Sequence, residues 1–152
     1  MVRRVCQTLD LAHTSTALRQ MLKTIQAGLF YFAIVFGTGF VLGGFRVLLL
    51  VPRIGERWAE LAEMPLMTTV IYWAAGFILR RFPAIRSPMR SLVAGVLALA
   101  LLVSAELASA TLLQDKTLAE YIASRDKVSG SVYVALLLVF AAMPRVRLST
   151  HA

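Results

Sequence analysis

The sequence predicts an all-α membrane protein: a bundle of four transmembrane helices, with a short amphipathic N-terminal helix and short interfacial helices in the outer loops. Of its 152 residues, 59% are hydrophobic and only 16% are charged, whereas about a quarter of an average soluble domain is charged. The apolar residues form four runs, and most charged residues lie between them. The chain has room for four spans of roughly 20 residues but not for a soluble domain beside them.

Residues 1–26 are polar overall but carry one apolar stripe. Leu18, Met21, Leu22 and Ile25 recur at the spacing of one helical face, which predicts an amphipathic helix. This helix would either lie on the cytoplasmic surface of the membrane or extend the first span into the cytoplasm. The apolar run that follows begins too late and is too long for a cleaved signal peptide, so we expect it to be retained as a signal anchor.

Four membrane spans are predicted, at about 27–51, 65–79, 91–113 and 128–143, followed by a cytoplasmic tail at 144–152. The second and fourth, at 15 and 16 residues, are near the lower limit for a helix that crosses the bilayer. Their length alone does not decide whether they cross.

The distribution of basic residues supports four crossings. With the N-terminus inside, ten Lys and Arg lie on the cytoplasmic side and five outside, while Arg46 lies within the membrane. This arrangement satisfies the positive-inside rule. If the second segment did not cross, the loop 80–90 would place its four arginines outside. The sequence therefore predicts that both termini and the loop 80–90 are cytoplasmic.

Both outer loops carry helix signals. Prolines bracket residues 53–64, in which Ile54, Trp58 and Leu61 share one helical face. This pattern predicts a short interfacial helix with the tryptophan at headgroup level. In the second outer loop, residues 117–120 (Thr-Leu-Ala-Glu) match a capping box, which predicts a helix that begins there.

Two charged residues, Arg46 and Glu106, lie inside the predicted spans. Burying a charge in lipid costs several kcal/mol unless it is paired or hydrated. At 1.5 Å per residue both lie roughly 22–26 Å from the inner boundary, so Arg46 and Glu106 are a candidate intramembrane ion pair. In a purely structural role, the pair would hold two helices together, or Arg46 would extend outward to water. In a functional role, Glu106 would be a protonatable carboxylate on a transport pathway.

Glycine marks the first span, where Gly37, Gly39, Gly43 and Gly44 lie within eight residues and include a GxxxG pattern. Small residues let helices pack closely in lipid, and the third span offers small residues as a matching surface. Packing within the chain is the favoured interpretation. Formation of a homo- or hetero-oligomer through the first span is the alternative.

The second span brings hydroxyl groups to the depth of the membrane centre, in Thr68, Thr69 and Tyr72. A phenol at that depth needs a hydrogen-bond partner. These side chains are candidates for the polar lining of a small pocket. Ordinary hydrogen bonding between helices explains them equally well.

Several classes of function find no support in the sequence. There is no Ser/His/Asp set, HExxH, P-loop or GxGxxG motif, so no catalytic residue or cofactor is predicted. Cys6 is the only cysteine, and His13 and His151 have no neighbouring ligands, so no metal site is expected. The basic residues flank apolar runs instead of forming a continuous stripe, which indicates a lipid bilayer and not a nucleic acid as the partner.

The segment 37–67 carries a recognisable pattern. It contains Gly-Thr-Gly-Phe-Val-Leu-Gly-Gly-Phe-Arg-Val-Leu at 37–48 and Val-Pro-Arg-Ile-Gly-Glu-Arg-Trp-Ala-Glu-Leu-Ala-Glu-Met-Pro-Leu-Met at 51–67. This pattern resembles a family of small, uncharacterised inner-membrane proteins of proteobacteria. The resemblance implies a location in the bacterial cell inner membrane and implies no activity.

Two functions follow as expectations. The leading one is a non-enzymatic membrane component or partner subunit, because the first span is rich in glycine and catalytic groups are lacking. The alternative is a small proton-coupled transporter or channel that uses Glu106.

Overall fold

A computed structural model describes residues 2–113 and 127–150, and all secondary structure in these ranges is helical. The elements, in chain order, are α1 (Val2–Phe45), a π-helical stretch (Arg46–Leu50), α2 (Val51–Ile54), α3 (Glu56–Arg81), a 3₁₀ turn (Pro83–Ile85), α4 (Pro88–Leu113) and α5 (Lys127–Thr150). Four helical segments, 14–54, 56–81, 88–109 and 130–150, are long and apolar enough to cross a membrane. By length and composition, this is the architecture of a multi-pass membrane protein.

The first membrane segment is continuous with the amphipathic N-terminal segment, because α1 begins at Val2 and runs without interruption to Phe45. The predicted short N-terminal helix is therefore the beginning of the first long helix. Next comes the π-helical stretch, where the N–H of Val51 donates to the carbonyl of Arg46. Pro52 explains this widening, since it has no N–H for the carbonyl of Leu48 and its ring would clash with that carbonyl in a regular α-helix.

The chain reverses at one residue, Gly55, which has φ 79° and ψ 162°. A residue with a Cβ rarely adopts a positive φ, so glycine is required at this position. The N–H of Gly55 donates to the carbonyl of Val51 (3.0 Å), and its own carbonyl accepts from the N–H of Ala59 (3.1 Å). Both backbone polar groups of Gly55 are thus hydrogen-bonded.

The interfacial helix predicted over 53–64 is not a separate element. α3 begins at Glu56 and continues through Pro65 to Arg81. A proline inside a helix removes one backbone hydrogen bond and does not always end the helix. The capping box predicted at 117–120 lies outside the described residues.

The second and fourth membrane helices are longer than the sequence predicted. α3 has 26 residues and α5 has 24, and α5 continues through Pro144 into the segment predicted as a tail. The predicted spans covered only the apolar residues, but Arg and Glu are good helix formers and extend helices beyond their apolar part. At 1.5 Å per residue, 26 residues span about 39 Å, more than the roughly 30 Å of a bilayer core.

The long helices form a closed ring in which α1 packs against α4, α4 against α5, α5 against α3, and α3 against α1. We refer to the two ends of the bundle as the Gly55 end and the Pro83 end. The densest core lies toward the Pro83 end, where Ala27, Ala75, Ile78 and Ala98 are fully buried. Small residues let the helices approach closely there.

Candidate functional site

The half of the bundle toward the Gly55 end contains a cavity of about 570 Å³ between α1, α3, α4 and α5. Apolar side chains form most of its walls, including Val35, Phe36, Phe40, Val47, Leu48, Met64, Met67, Ile71, Leu102, Leu136, Leu137 and Phe140. Its polar lining comes from Arg46, Glu63, Glu106, Ser109 and Tyr133. Each of the four long helices therefore contributes to one shared space.

A pair of stacked aromatic rings, of which Phe140 lines the cavity, lies between α1 and α5. The Tyr31 and Phe140 rings stack with their centroids 4.5 Å apart, and both side chains are buried. The Tyr31 hydroxyl donates a hydrogen bond of 3.0 Å to the carbonyl oxygen of Phe140. That carbonyl lies four residues before Pro144, which has no N–H to donate to it. Tyr31 therefore supplies the hydrogen bond that the proline removes from α5.

Arg46, the first residue of the π-helical stretch, forms two salt bridges with α3. Its Nη1 lies 3.2 Å from Glu60 Oε1 and its Nε lies 3.4 Å from Glu63 Oε2. Only 9% of the Glu60 side chain and 16% of the Glu63 side chain are exposed. The cluster joins the two helices on either side of the Gly55 turn. Because both carboxylates are largely desolvated, they depend on the arginine to compensate their charge.

Glu106 lies on another part of the cavity wall, where the Tyr133 hydroxyl donates a hydrogen bond to its Oε2. This contact joins α4 to α5. The salt bridges of Arg46 are thus with Glu60 and Glu63, and not with Glu106 as the sequence predicted. The sequence-based reasoning placed the two α3 glutamates in an outer loop, whereas the tight turn at Gly55 folds them back beside the arginine.

Of the four glycines predicted to mediate packing, Gly39 contacts α3: a Cβ added to it would lie 3.2 Å from Met67 Cε. A Cβ added at Gly37, Gly43 or Gly44 would have no atom within 4 Å. Gly39, Gly43 and Gly44 line the cavity. These glycines therefore leave space in the cavity instead of bringing the first and third spans together.

The close helix contact involves glycines that the sequence analysis did not single out. A Cβ at Gly28 would lie 3.0 Å from the carbonyl oxygen of Ala94 on α4, and a Cβ at Gly95 would overlap the backbone of Ala141 on α5. The expected pairing of the first and third spans is present, but it lies toward the Pro83 end. These isolated glycines do not form a GxxxG pattern, which is why they gave no signal.

The three second-span side chains that were predicted to line a pocket do not line the cavity. The Thr68 hydroxyl donates to the Met64 carbonyl (2.8 Å) and the Thr69 hydroxyl to the Pro65 carbonyl (3.0 Å), and both threonines are exposed. Tyr72 is also exposed, with 45% of its surface accessible. None of these three residues is among those that line the described cavity. Bonding of a threonine to its own helix satisfies the hydroxyl without a partner helix.

Arg147 is the residue that the sequence analysis missed. It is 6% exposed, its guanidinium lies 4.0 Å above the Tyr72 ring, and its Nη1 donates to the Tyr72 carbonyl (3.1 Å). A Cβ added at Gly76 would lie 2.8 Å from its Cζ, so glycine makes room for the guanidinium. The sequence analysis placed Arg147 in the cytoplasmic tail at 144–152, after the predicted end of the fourth span at residue 143.

No family model, curated protein or solved structure matches the chain. Within residues 2–113 and 127–150, no group of three or more His, Cys, Asp or Glu residues is arranged to hold a metal ion.

Proposed function

We propose that this protein is a non-enzymatic membrane protein that binds a small amphipathic molecule in the cavity toward the Gly55 end. The observation that supports this proposal is the cavity itself. Its volume of about 570 Å³ lies within the roughly 300–1,000 Å³ typical of small-molecule sites, which are mostly apolar with a few convergent polar groups.

The arrangement of the lining supports an amphipathic ligand. Phe36, Leu102 and Leu137 offer an apolar surface for the body of the molecule, and van der Waals packing against it would hold that body in place, as it holds helices together in lipid. Arg46 and Glu106 offer charged groups already held by partners on neighbouring helices. Such prearranged groups orient the polar part of a ligand at little entropic cost.

The proposed location is the bacterial cell inner membrane, with both termini in the cytoplasm. The asymmetry of the basic residues supports this orientation, and the resemblance of residues 37–67 to inner-membrane proteins supports the location. In this orientation the cavity lies in the outer half of the bilayer.

A small proton-coupled transporter or channel that uses Glu106 is the second candidate function. The observation that favours it is the hydrogen bond between Glu106 and Tyr133 at the cavity wall. A carboxylate beside a cavity in the membrane can exchange a proton with a molecule in that cavity.

A role as partner subunit rests on exposed apolar residues of the first membrane segment, such as Phe40, Phe45 and Leu48. Lipid tails cover such a surface equally well. The cavity therefore supports ligand binding more strongly than it supports this role.

The test is a cavity-filling variant with a matched control. A leucine at Gly43 would enter the cavity, whereas one at Gly37 would not, and a Cβ is free of contacts at both positions. Small molecules that remain with the purified protein are extracted and identified by mass spectrometry, relative to bulk lipid. We expect Gly43→Leu to lose a molecule that wild type and Gly37→Leu retain. Retention of the same molecules by all three proteins would refute the proposal.

A further inference from the structure

The two ends of the bundle differ in charge: the Pro83 end is basic, whereas the Gly55 end carries both signs, with Arg46, Arg53 and Arg57 beside its glutamates. Around the Pro83 end, residues 14–31, 76–98 and 141–150 include eight basic residues and no acidic one. They are Arg19, Lys23, Arg80, Arg81, Arg86, Arg90, Arg145 and Arg147. The four glutamates of the described residues, at 56, 60, 63 and 106, all lie toward the Gly55 end. The Pro83 end is therefore a strongly basic surface.

Two of these arginines hold the turn between α3 and α4 in place. Arg86 Nε donates to the Leu79 carbonyl (3.1 Å), and Arg90 Nη1 donates to the Ala84 carbonyl (3.2 Å). These bonds satisfy carbonyls at the end of α3 and in the 3₁₀ turn. The turn is thus a fixed platform beside the exposed Arg80.

At the contact between α3 and α5, two arginines approach the same helical face. Tyr72, Gly76 and Arg80 follow one another at intervals of four residues, which places them on one side of α3. The Arg147 guanidinium lies against Tyr72 and Gly76, one turn from Arg80. Tyr72 fixes the orientation of the buried guanidinium, whereas Arg80 is exposed.

We propose that this contact binds an anionic phospholipid, with the phosphodiester held between Arg80 and Arg147. Guanidinium groups bind phosphate oxygens through paired N–H donors, and basic pockets between membrane helices bind anionic headgroups. Exposed apolar side chains, Phe77 on α3 and Val146 on α5, continue the surface for acyl chains. This site is separate from the cavity and does not depend on the function proposed for it.

The test is native mass spectrometry of the detergent-solubilised full chain with phosphatidylglycerol or phosphatidylcholine of the same acyl chains. Wild type should retain more phosphatidylglycerol. Arg80→Gln should lower that retention roughly fivefold, the effect of about one basic residue at an anionic surface. Arg53→Gln, which removes an exposed arginine at the Gly55 end, should leave it unchanged.

Three results would overturn the proposal: equal retention of both lipids by wild type, equal losses in the two variants, or displacement of phosphatidylglycerol by glycerol 3-phosphate. The second result would indicate an effect of net charge alone. The third would indicate a site for a soluble phosphate ester instead of a lipid.

Discussion

The guanidinium of Arg46 lies 3.2 Å from the carboxylate of Glu60, across the turn at Gly55. This salt bridge and the second one to Glu63 join the end of the first membrane segment to the beginning of α3. Two of these three charged groups, Arg46 and Glu63, also line the cavity. The stability of the turn and the polarity of the cavity therefore depend on the same arginine.

We expect Arg46→Ala to destabilise the protein by about 3–5 kcal/mol, because it leaves two largely buried carboxylates without their cation. Thermal unfolding in mild detergent measures the effect. Arg53→Ala, at an exposed position on α2, is the control and should change stability by less than about 0.5 kcal/mol.

A double-mutant cycle then identifies the partner of Arg46. Arg46→Ala combined with Glu60→Gln should cost less than the sum of the single effects, since both variants remove the same interaction. Arg46→Ala combined with Glu106→Gln should be closer to additive. Stronger coupling to Glu106 would contradict the observed salt bridges.

The second prediction concerns Tyr31, whose hydroxyl donates to the Phe140 carbonyl left without a helical donor by Pro144. Tyr31→Phe keeps the ring but leaves a buried carbonyl unsatisfied, so we expect a loss of about 1–3 kcal/mol in thermal unfolding. Tyr72→Phe is the matched control and should cost less, because Tyr72 contacts Arg147 through its ring and its backbone carbonyl.

Pro144→Ala should reduce the cost of Tyr31→Phe, because alanine restores the N–H that donates to the Phe140 carbonyl. If the two substitutions have additive effects, the tyrosine does not replace the missing helical hydrogen bond.

The sequence predicted the number and approximate positions of the membrane helices, because runs of apolar residues identify them directly. It did not predict where α3 begins or where α5 ends. The second span was predicted to begin at Pro65 and the fourth to end at residue 143, whereas α3 and α5 each continue through a proline. At Pro144 a tertiary contact compensates the missing hydrogen bond, since the Tyr31 hydroxyl donates to the Phe140 carbonyl.

The cavity residues show the same limit. The residue positions along the predicted spans placed Arg46 and Glu106 at the same depth in the membrane, and both side chains line the cavity. The partners of Arg46 depend on the single-residue turn at Gly55. This turn could not be predicted from the position of a residue along its span. The buried position of Arg147 likewise depends on the course of α5 beyond Pro144.

The third prediction separates ligand binding from proton transport at Glu106. Glu106→Gln keeps an oxygen that can accept the Tyr133 hydrogen bond but cannot ionise, so we expect the fold to be retained. If the protein only binds its ligand, liposomes containing wild type will show no more proton flux under a pH gradient than empty ones. Flux in wild type that Glu106→Gln abolishes would favour the transporter instead.

The fourth prediction tests the orientation of the bundle. In a Cys6→Ser background, single cysteines replace Ser87 near the Pro83 end and Arg53 near the Gly55 end. An impermeant maleimide added to intact spheroplasts should label position 53 and leave position 87 unlabelled, because the loop 80–90 with its four arginines is expected in the cytoplasm. Labelling of both positions after lysis is the control for reactivity. The reverse pattern in intact spheroplasts would invert the topology and place the cavity in the cytoplasmic half of the bilayer, whereas the helix contacts that form it would be unaffected.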